Sequence, residues 1–307
     1  MTVRPCLRCA VPAIPPRRDS HPESHPDFPA EAARNYSRRA VTGARFLARF
    51  LGLFLAAFCL TAPVYALDLP AALEAGERAV AAAVIDGDTL LLDDGREVRL
   101  VGLQAPKLPL GRPDFRAWPL AHEAKAALEA LVLGKAITLA YGGRQLDRHG
   151  RALAHLYRDD GTWIQGELLE LGMARVYSFA DNRALVAEML AIEQATRAVG
   201  RGIWGLDWYA IRGLDSIEDD RDSFQLVEGR ILDAARAGGR GYLNFGADRM
   251  TDFTLSLDPA TLRLFDAEGL PIEQLEGRRI RVRGWVDYFN GPMIEITHPE
   301  QIEVLDE

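Results

Sequence analysis

The sequence predicts a mainly β chain with helices, an α+β arrangement of two small consecutive domains, and three observations carry that prediction. A strand pattern at residues 81–92 meets a second at 96–103 through the turn signal Asp93-Asp94-Gly95. Two stretches of helical period, HEAKAALEALVLG and residues 182–199, sit among the strands of that first half. Beyond residue 222, five short strand patterns with one helix after the third follow the order of a compact Greek-key barrel.

The chain has 307 residues, 48% of them hydrophobic, which is enough for one large or two ordinary cores. Residues 1–40 are rich in Pro, Arg, Ser and His with no apolar period, so they read as a disordered leader or a misassigned start. Arg45 and Arg49 then precede the apolar run FLGLFLAAFCLTAPVYA. That run is too short for a comfortable bilayer span and ends in small residues, which reads as an export signal over residues 41–66, cleaved after Ala66. The expected location is therefore the periplasm or the exterior, with no stable membrane span after cleavage. All three cysteines, Cys6, Cys9 and Cys59, fall in the removable part, so the mature chain has neither disulfides nor thiolate metal sites. Nine basic and four acidic residues also fall there, and their removal takes the net charge from −8 to −13. Such a balance excludes a broad non-specific grip on nucleic acid, which needs positive potential, and leaves room for a local phosphate contact.

Along the first half, AAAVIDGDTLLL forms one strand and residues 96–103 its hairpin partner. A Pro-rich loop, LPLGRPDFRAWP, leads into the helix that stops at Gly134, and AITLAYGG is a strand. After the turn DRHG, residues 151–158 alternate as a strand. GELLELGMARVYSF is a helix closing at Gly172 and then a short extended stretch. Residues 182–199 are a long amphipathic helix with Ile203 and Trp204 docking behind it. The charged run IEDDRD reads as a solvated linker. In the second half FQLVEGRIL, GYLNFG, DFTLSL, RIRVRGWV and PMIEIT are the strands and PATLRLFDAEG the helix, an order that suits a barrel of the OB type. Its arginines, Arg230, Arg278, Arg279, Arg281 and Arg283, read as a solvated sheet face balanced by acids.

Chemistry concentrates in the first hairpin. With Asp94 and Gly95 as a two-residue loop, Leu90 opposes Arg99 and Asp88 opposes Val101, which sets Arg99 diagonal to Asp88 on one face. A carboxylate and a guanidinium so placed suit a cation and a phosphate, and equally a cross-strand ion pair. VIDGDT (84–89), VRLVGLQAP (98–106), DRHGRALAHLY (147–157) and GIW (202–204) together resemble the staphylococcal nuclease, or thermonuclease, family from about Val84 to Trp204. The resemblance implies a five-stranded OB barrel with helices at residues 77–208, then a linker at 209–222 and the second OB-like barrel at 223–307. In active family members it implies calcium-dependent hydrolysis of DNA and RNA.

Carried over residue by residue, the resemblance implies that Asp88, with Asp86 beside it, is a calcium ligand. It implies that Arg99 and Arg151 bind the scissile phosphate and stabilise its developing charge. Asp147, Arg148 and His149 fall in the turn that contacts substrate, and Tyr177 and Phe179 near the aromatics that stack on a base. The departures lie in LQAPK. Gln104 stands where the family has its second calcium ligand, an aspartate, and Lys107 where it has the glutamate proposed as general base. Gln104 retains a neutral amide oxygen, while an ammonium at 107 cannot accept a proton from water and repels a cation. The reading that follows is an exported thermonuclease-like protein with a degenerate calcium and base site, in which Lys107 supplies the charge that calcium once did. It binds nucleic acid, nucleotide or another phosphate with weak or no hydrolysis. An active endonuclease with altered metal or base usage is the alternative, and a non-catalytic envelope scaffold the second.

Overall fold

In the computed structural model, which describes residues 68–248 and 250–305, the strand pattern at 81–92 is two strands rather than one. The leader, the export signal and its cleavage point lie outside the described residues. β1 spans Glu74–Asp86 and β2 Thr89–Leu92, with Gly87 and Asp88 turning between them. Space dictates the glycine, because a Cβ at Gly87 would lie 2.7 Å from the Cβ of Ala105 and 2.8 Å from that of Ala124. β3 (Glu97–Leu100) pairs with β2 in the register Thr89 to Arg99 and Leu90 to Val98, one residue away from the pairing expected of a two-residue loop. The loop has three residues. Leu92 N–H donates to Arg96 O at 2.9 Å, Gly95 takes φ 88°, and the Asp94 carboxylate accepts from Arg96 N–H at 3.0 Å. A one-residue slip sets Arg99 opposite Thr89, and Asp88, in the β1–β2 turn, continues the same register by accepting from Leu100 N–H at 2.9 Å.

β4 (Leu103–Gln104), α1 (Ala121–Val132), β5 (Ala136–Tyr141), β6 (Ala152–Arg158), α2 (Ile164–Glu170), β7 (Arg175–Val176) and α3 (Val186–Ala198) complete the first half. The barrel closes in the order β1-β2-β3-β6-β5, with β3 and β6 parallel and the other pairs antiparallel. Leu90, Leu100, Leu139 and Leu156 fill its interior, Leu128 of α1 and Leu168 of α2 seal it, and each such side chain contributes about 1.5–3 kcal/mol by leaving water. Outside the barrel β4 pairs with β7, so the segment after Gly102, itself at φ 83°, is held by a separate two-stranded ladder.

The second half contains β8 (Ser223–Arg230), β9 (Asp233–Ala237), β10 (Arg240–Asn244), β11 (Thr254–Leu257), α4 (Pro259–Ala267), β12 (Arg279–Tyr288), β13 (Pro292–Ile296) and β14 (Ile302–Val304). β8 and β9 act as one strand bent at Ile231 and Leu232. Ile231 N–H donates to Arg278 O at 3.0 Å on one side, and Leu232 N–H to Asn244 O at 2.8 Å on the other. With that bend the ring runs β12-β13-β11-β10-β9 and returns through β8 to β12, with β11 and β13 parallel. This is the circular order of the first barrel, again with a helix before the fourth strand. Val227, Leu243, Leu255, Phe265, Val282 and Ile294 form its core.

In the charged run IEDDRD, Glu218, Asp219, Arg221 and Asp222 are exposed, while its first residue, Ile217, is buried in the second core, as Tyr209 before it is also buried. Arg212 N–H donates to Leu226 O at 2.8 Å while Arg212 O accepts from Glu228 N–H at 2.9 Å, so the chain runs beside β8 and its charges face outward. The arginine stripe is not uniformly solvated, since Arg283 is fully buried against acids that the linear sequence does not place near it.

Candidate functional site

Four of the residues singled out by sequence converge at the β1–β2 turn. Asp88 is fully buried, and its carboxylate forms an ion pair with Arg99 of β3. It also accepts from the backbone N–H of Ala105 at 2.7 Å and from Thr89 Oγ1 at 3.2 Å. Lys107 brings its ammonium to 3.0 Å from Asp88 Oδ1 and 2.9 Å from Oδ2, and to 3.7 Å from Asp86 Oδ2. Asp86, also buried, accepts from Asp88 N–H at 3.1 Å, which fixes the turn. The guanidinium of Arg99 spans the site, with Nη1 donating to Asp88 O at 3.2 Å and Nη2 to Leu103 O at 2.9 Å.

The two carboxyls titrate in opposite senses. Burial pushes Asp86 above its ordinary value, reinforced by the charge of Asp88 and only partly offset by Lys107 and Arg99. Burial also acts on Asp88, but Arg99, Lys107 and the hydrogen bonds of Asp86 and Ala105 outweigh it and hold Asp88 well below the carboxylate range. Asp88 is therefore held as an anion between Arg99 and Lys107, and the Lys107 ammonium lies at the turn beside both acids.

Gln104 does not face this cluster with a free oxygen. Its Oε1 accepts from Arg175 Nε at 3.0 Å and Nη2 at 2.7 Å. Arg175 is buried, donates further to Phe224 O at 2.9 Å, and lies 4.7 Å above the Phe224 ring. All these acceptors are neutral, and burial draws the guanidinium down to about 10. The donor set does not fit calcium, which takes about six to eight oxygens. Both oxygens of Asp88 are engaged with nitrogen donors, and the Gln104 oxygen is taken by Arg175. Among the described residues no group of three or more acids, histidines or cysteines converges to hold a metal ion.

The other candidates lie on the neighbouring strand and loops. Arg151 precedes β6, the strand parallel to β3, and donates from Nε to Asp147 Oδ2 at 2.7 Å. Asp147 also accepts from the backbone N–H of His149 at 2.8 Å, while Arg148 and His149 are exposed and share a 3.1 Å hydrogen bond. Tyr177 and Phe179 pack edge to face at 4.9 Å with Phe179 half exposed, and Tyr177 also packs on Phe224 at 4.6 Å. The sequence reading missed Arg175 and Phe224. An arginine in the apolar run MARVYSF follows strand alternation as a surface residue, and no local signal marks it as buried.

A closed five-stranded barrel sealed by helices, with buried acids and a guanidinium at its first hairpin, defines a small-barrel nuclease domain. The chain belongs to the family of staphylococcal nuclease homologues, whose family model matches residues 97–205. It is 30% identical over 124 residues to an uncharacterized endonuclease of Escherichia coli O157:H7, a match covering 39% of this chain and 72% of that one. It is 25% identical over 124 residues to the thermonuclease of Staphylococcus hyicus, covering 39% and 72% of the two chains. With the thermonuclease of Staphylococcus intermedius the identity is 29% over 125 residues, covering 40% and 71%. Each of these matches covers less than half of this chain. Among the described residues no helix is long and apolar enough to cross a membrane.

Proposed function

We propose that this chain is an exported phosphate-binding member of the nuclease family in which the ammonium of Lys107 replaces the metal ion. The observation that carries the reading is the position of that ammonium, within 3.0 Å of both oxygens of Asp88 and 3.7 Å from Asp86. A tethered cation there leaves Arg99 held in place by Asp88 and Leu103, with Arg151 at the head of the neighbouring strand as the second phosphate group. The ligand is nucleic acid, a nucleotide or another phosphate, with Asp147, Arg148 and His149 at its edge and Tyr177 and Phe179 beside a base.

Hydrolysis is weak or absent on this reading. A protonated lysine cannot take a proton from water, and a general base is worth about 10²–10⁴-fold in rate. The runner-up, an active endonuclease with altered metal or base usage, draws support from the endonuclease name carried by a relative at 30% identity. The assay that separates them incubates the full chain with single-stranded DNA and RNA in calcium, magnesium, manganese or chelator, alongside Arg99→Ala. Binding that needs Arg99 and ignores chelator supports the proposal. Robust calcium-dependent cleavage lost in Arg99→Ala overturns it.

A further inference from the structure

The segment that carries the altered elbow rests on a ladder two residues wide, and the far edge of that ladder is completed by side chains. β4 pairs with β7, matching Leu103 to Val176 and Gln104 to Arg175. Val176 N–H donates to Glu193 Oε2 of α3 at 2.5 Å, and Val176 O accepts from Arg283 Nη1 of β12 at 3.2 Å. Arg283 is held by Glu193 at 2.9 Å and by Glu303 of β14, which also accepts from Arg197 at 3.1 Å and Arg281 at 3.0 Å. A second strut runs from Arg175, bonded at once to Gln104 Oε1 and to Phe224 O of β8. On the near side of the ladder, Leu103 O accepts from Arg99 Nη2 at 2.9 Å. From the second barrel these bonds reach Val176, whose register partner in β4 is Leu103, and Leu103 O holds the Arg99 guanidinium.

We propose that the second barrel is a positioning element of the phosphate site, with Arg283 and Arg175 as positioning residues that act on Arg99 through Val176, Leu103 and Gln104. The inference rests on the phosphate-binding reading of Arg99 and assigns the second barrel a role in it. Buried ion pairs contribute little net stability against apolar packing, but they fix geometry where the alternative leaves a charge unpaired. A guanidinium fork that completes a strand edge is such a case. Bidentate contacts to phosphate also tolerate little displacement, so a slack ladder costs Arg99 its grip.

The test uses the full chain and Arg175→Met, which leaves no buried acid unpaired because every acceptor of Arg175 is neutral. Arg283→Lys is the second variant, keeping the charge beside Glu193 and Glu303 but losing the fork. Two readouts are taken. Amide exchange without ligand is expected to quicken about tenfold or more at Ala105 and Tyr177, whose N–H groups bond Asp88 and Gly102, while β5 and β6 keep their protection. Binding of an octathymidylate is expected to weaken as much as in Arg99→Ala, with the salt slope lowered by about 0.7 for one lost phosphate contact. The double variant Arg99→Ala/Arg175→Met is expected to lose no more than either single one. Unchanged exchange at Ala105 and Tyr177, or losses that multiply in the double variant, overturn the inference. If the wild-type chain binds no oligonucleotide, the phosphate reading falls, and the exchange measurement still decides whether the second barrel braces the elbow.

Discussion

Replacing Lys107 by methionine removes the ammonium while keeping the length of the side chain. In the native site that ammonium stands 2.9 Å and 3.0 Å from the oxygens of Asp88 and 3.7 Å from Asp86, with the side chain 15% exposed. At an effective dielectric near 20, a charge pair about 4 Å apart attracts by about 4 kcal/mol, and desolvating the ammonium opposes this by several kcal/mol. Deleting one partner of a buried pair costs about 3–5 kcal/mol, because the other charge stays behind. Asp88 keeps Arg99 and the Ala105 N–H, so the loss falls below that range, at about 2–3 kcal/mol. For a chain of this size that lowers the melting midpoint by about 5–10 °C.

The cost is greatest at neutral pH and shrinks as pH falls, because Asp86, already raised by burial, takes up a proton and no longer needs a counter-charge. Adding Asp86→Asn to Lys107→Met is expected to restore about half of the loss. Urea unfolding at pH 7 and pH 5, with millimolar calcium or chelator, measures all of this. A Lys107→Met chain as stable as wild type at pH 7, or a wild type whose midpoint rises with calcium, would refute the picture of a tethered cation.

Gln104→Glu gives Arg175 an ionised partner in place of an amide oxygen, and is expected to stabilise the fold by about 1 kcal/mol at neutral pH. The new carboxyl is held below its ordinary value by Arg175, so the gain exists above about pH 4.3 and disappears as pH falls. Thermal melts at pH 7 and pH 4 test this, and a calcium-dependent gain would show the acid serving a metal instead. His298, buried between Ser178 Oγ at 2.7 Å and Thr297 Oγ1 at 2.9 Å, is drawn down to about 4 by burial, and His155 is drawn to about 4 for the same reason. A histidine lowered on folding takes its proton only when the chain unfolds. Its contribution is therefore complete above about pH 6.5 and lost toward pH 4, roughly 3 kcal/mol each in full. His298→Asn is expected to remove about half of the stability that wild type loses between pH 6.5 and pH 4. A variant that loses as much as wild type by chemical denaturation at the two pH values would disprove it.

Much of the fold can be read in the sequence, because hydrophobic period and turn chemistry are local. The helices at 121–132 and 186–198 and the strands at 136–141 and 152–158 follow their apolar spacing closely. The first hairpin fails by one residue because Asp93-Asp94-Gly95 accommodates either a two- or a three-residue loop, and the choice depends on where Asp94 places its carboxylate. β9 is invisible because Asp-Ala-Ala-Arg-Ala has no strand propensity of its own and extends by pairing with β10. At the site, the family resemblance draws Asp86, Asp88, Arg99 and Lys107 together although the hairpin register is off by one. Arg175, Phe224 and Arg283 are not legible, since Phe224 lies 49 residues from Arg175, and Arg283 107 residues from Val176, and only the tertiary fold brings them together.

The two barrels share one circular strand order, yet their first hairpins differ. Where β1 turns into β2 through Asp86, Gly87 and Asp88, β9 turns into β10 through Gly238 and Gly239 at φ 58° and 83°. The second barrel is thus an internal control for the first, showing that closure of this ring requires no carboxylate at that corner. Two acids sunk beside two cations are a burden on folding that the architecture does not impose. A chain optimised for stability alone would discard them, and a library randomised at 86, 88, 99 and 107, sorted first for thermal survival and then for phosphate capture, would separate the residues the barrel needs from those its ligand needs.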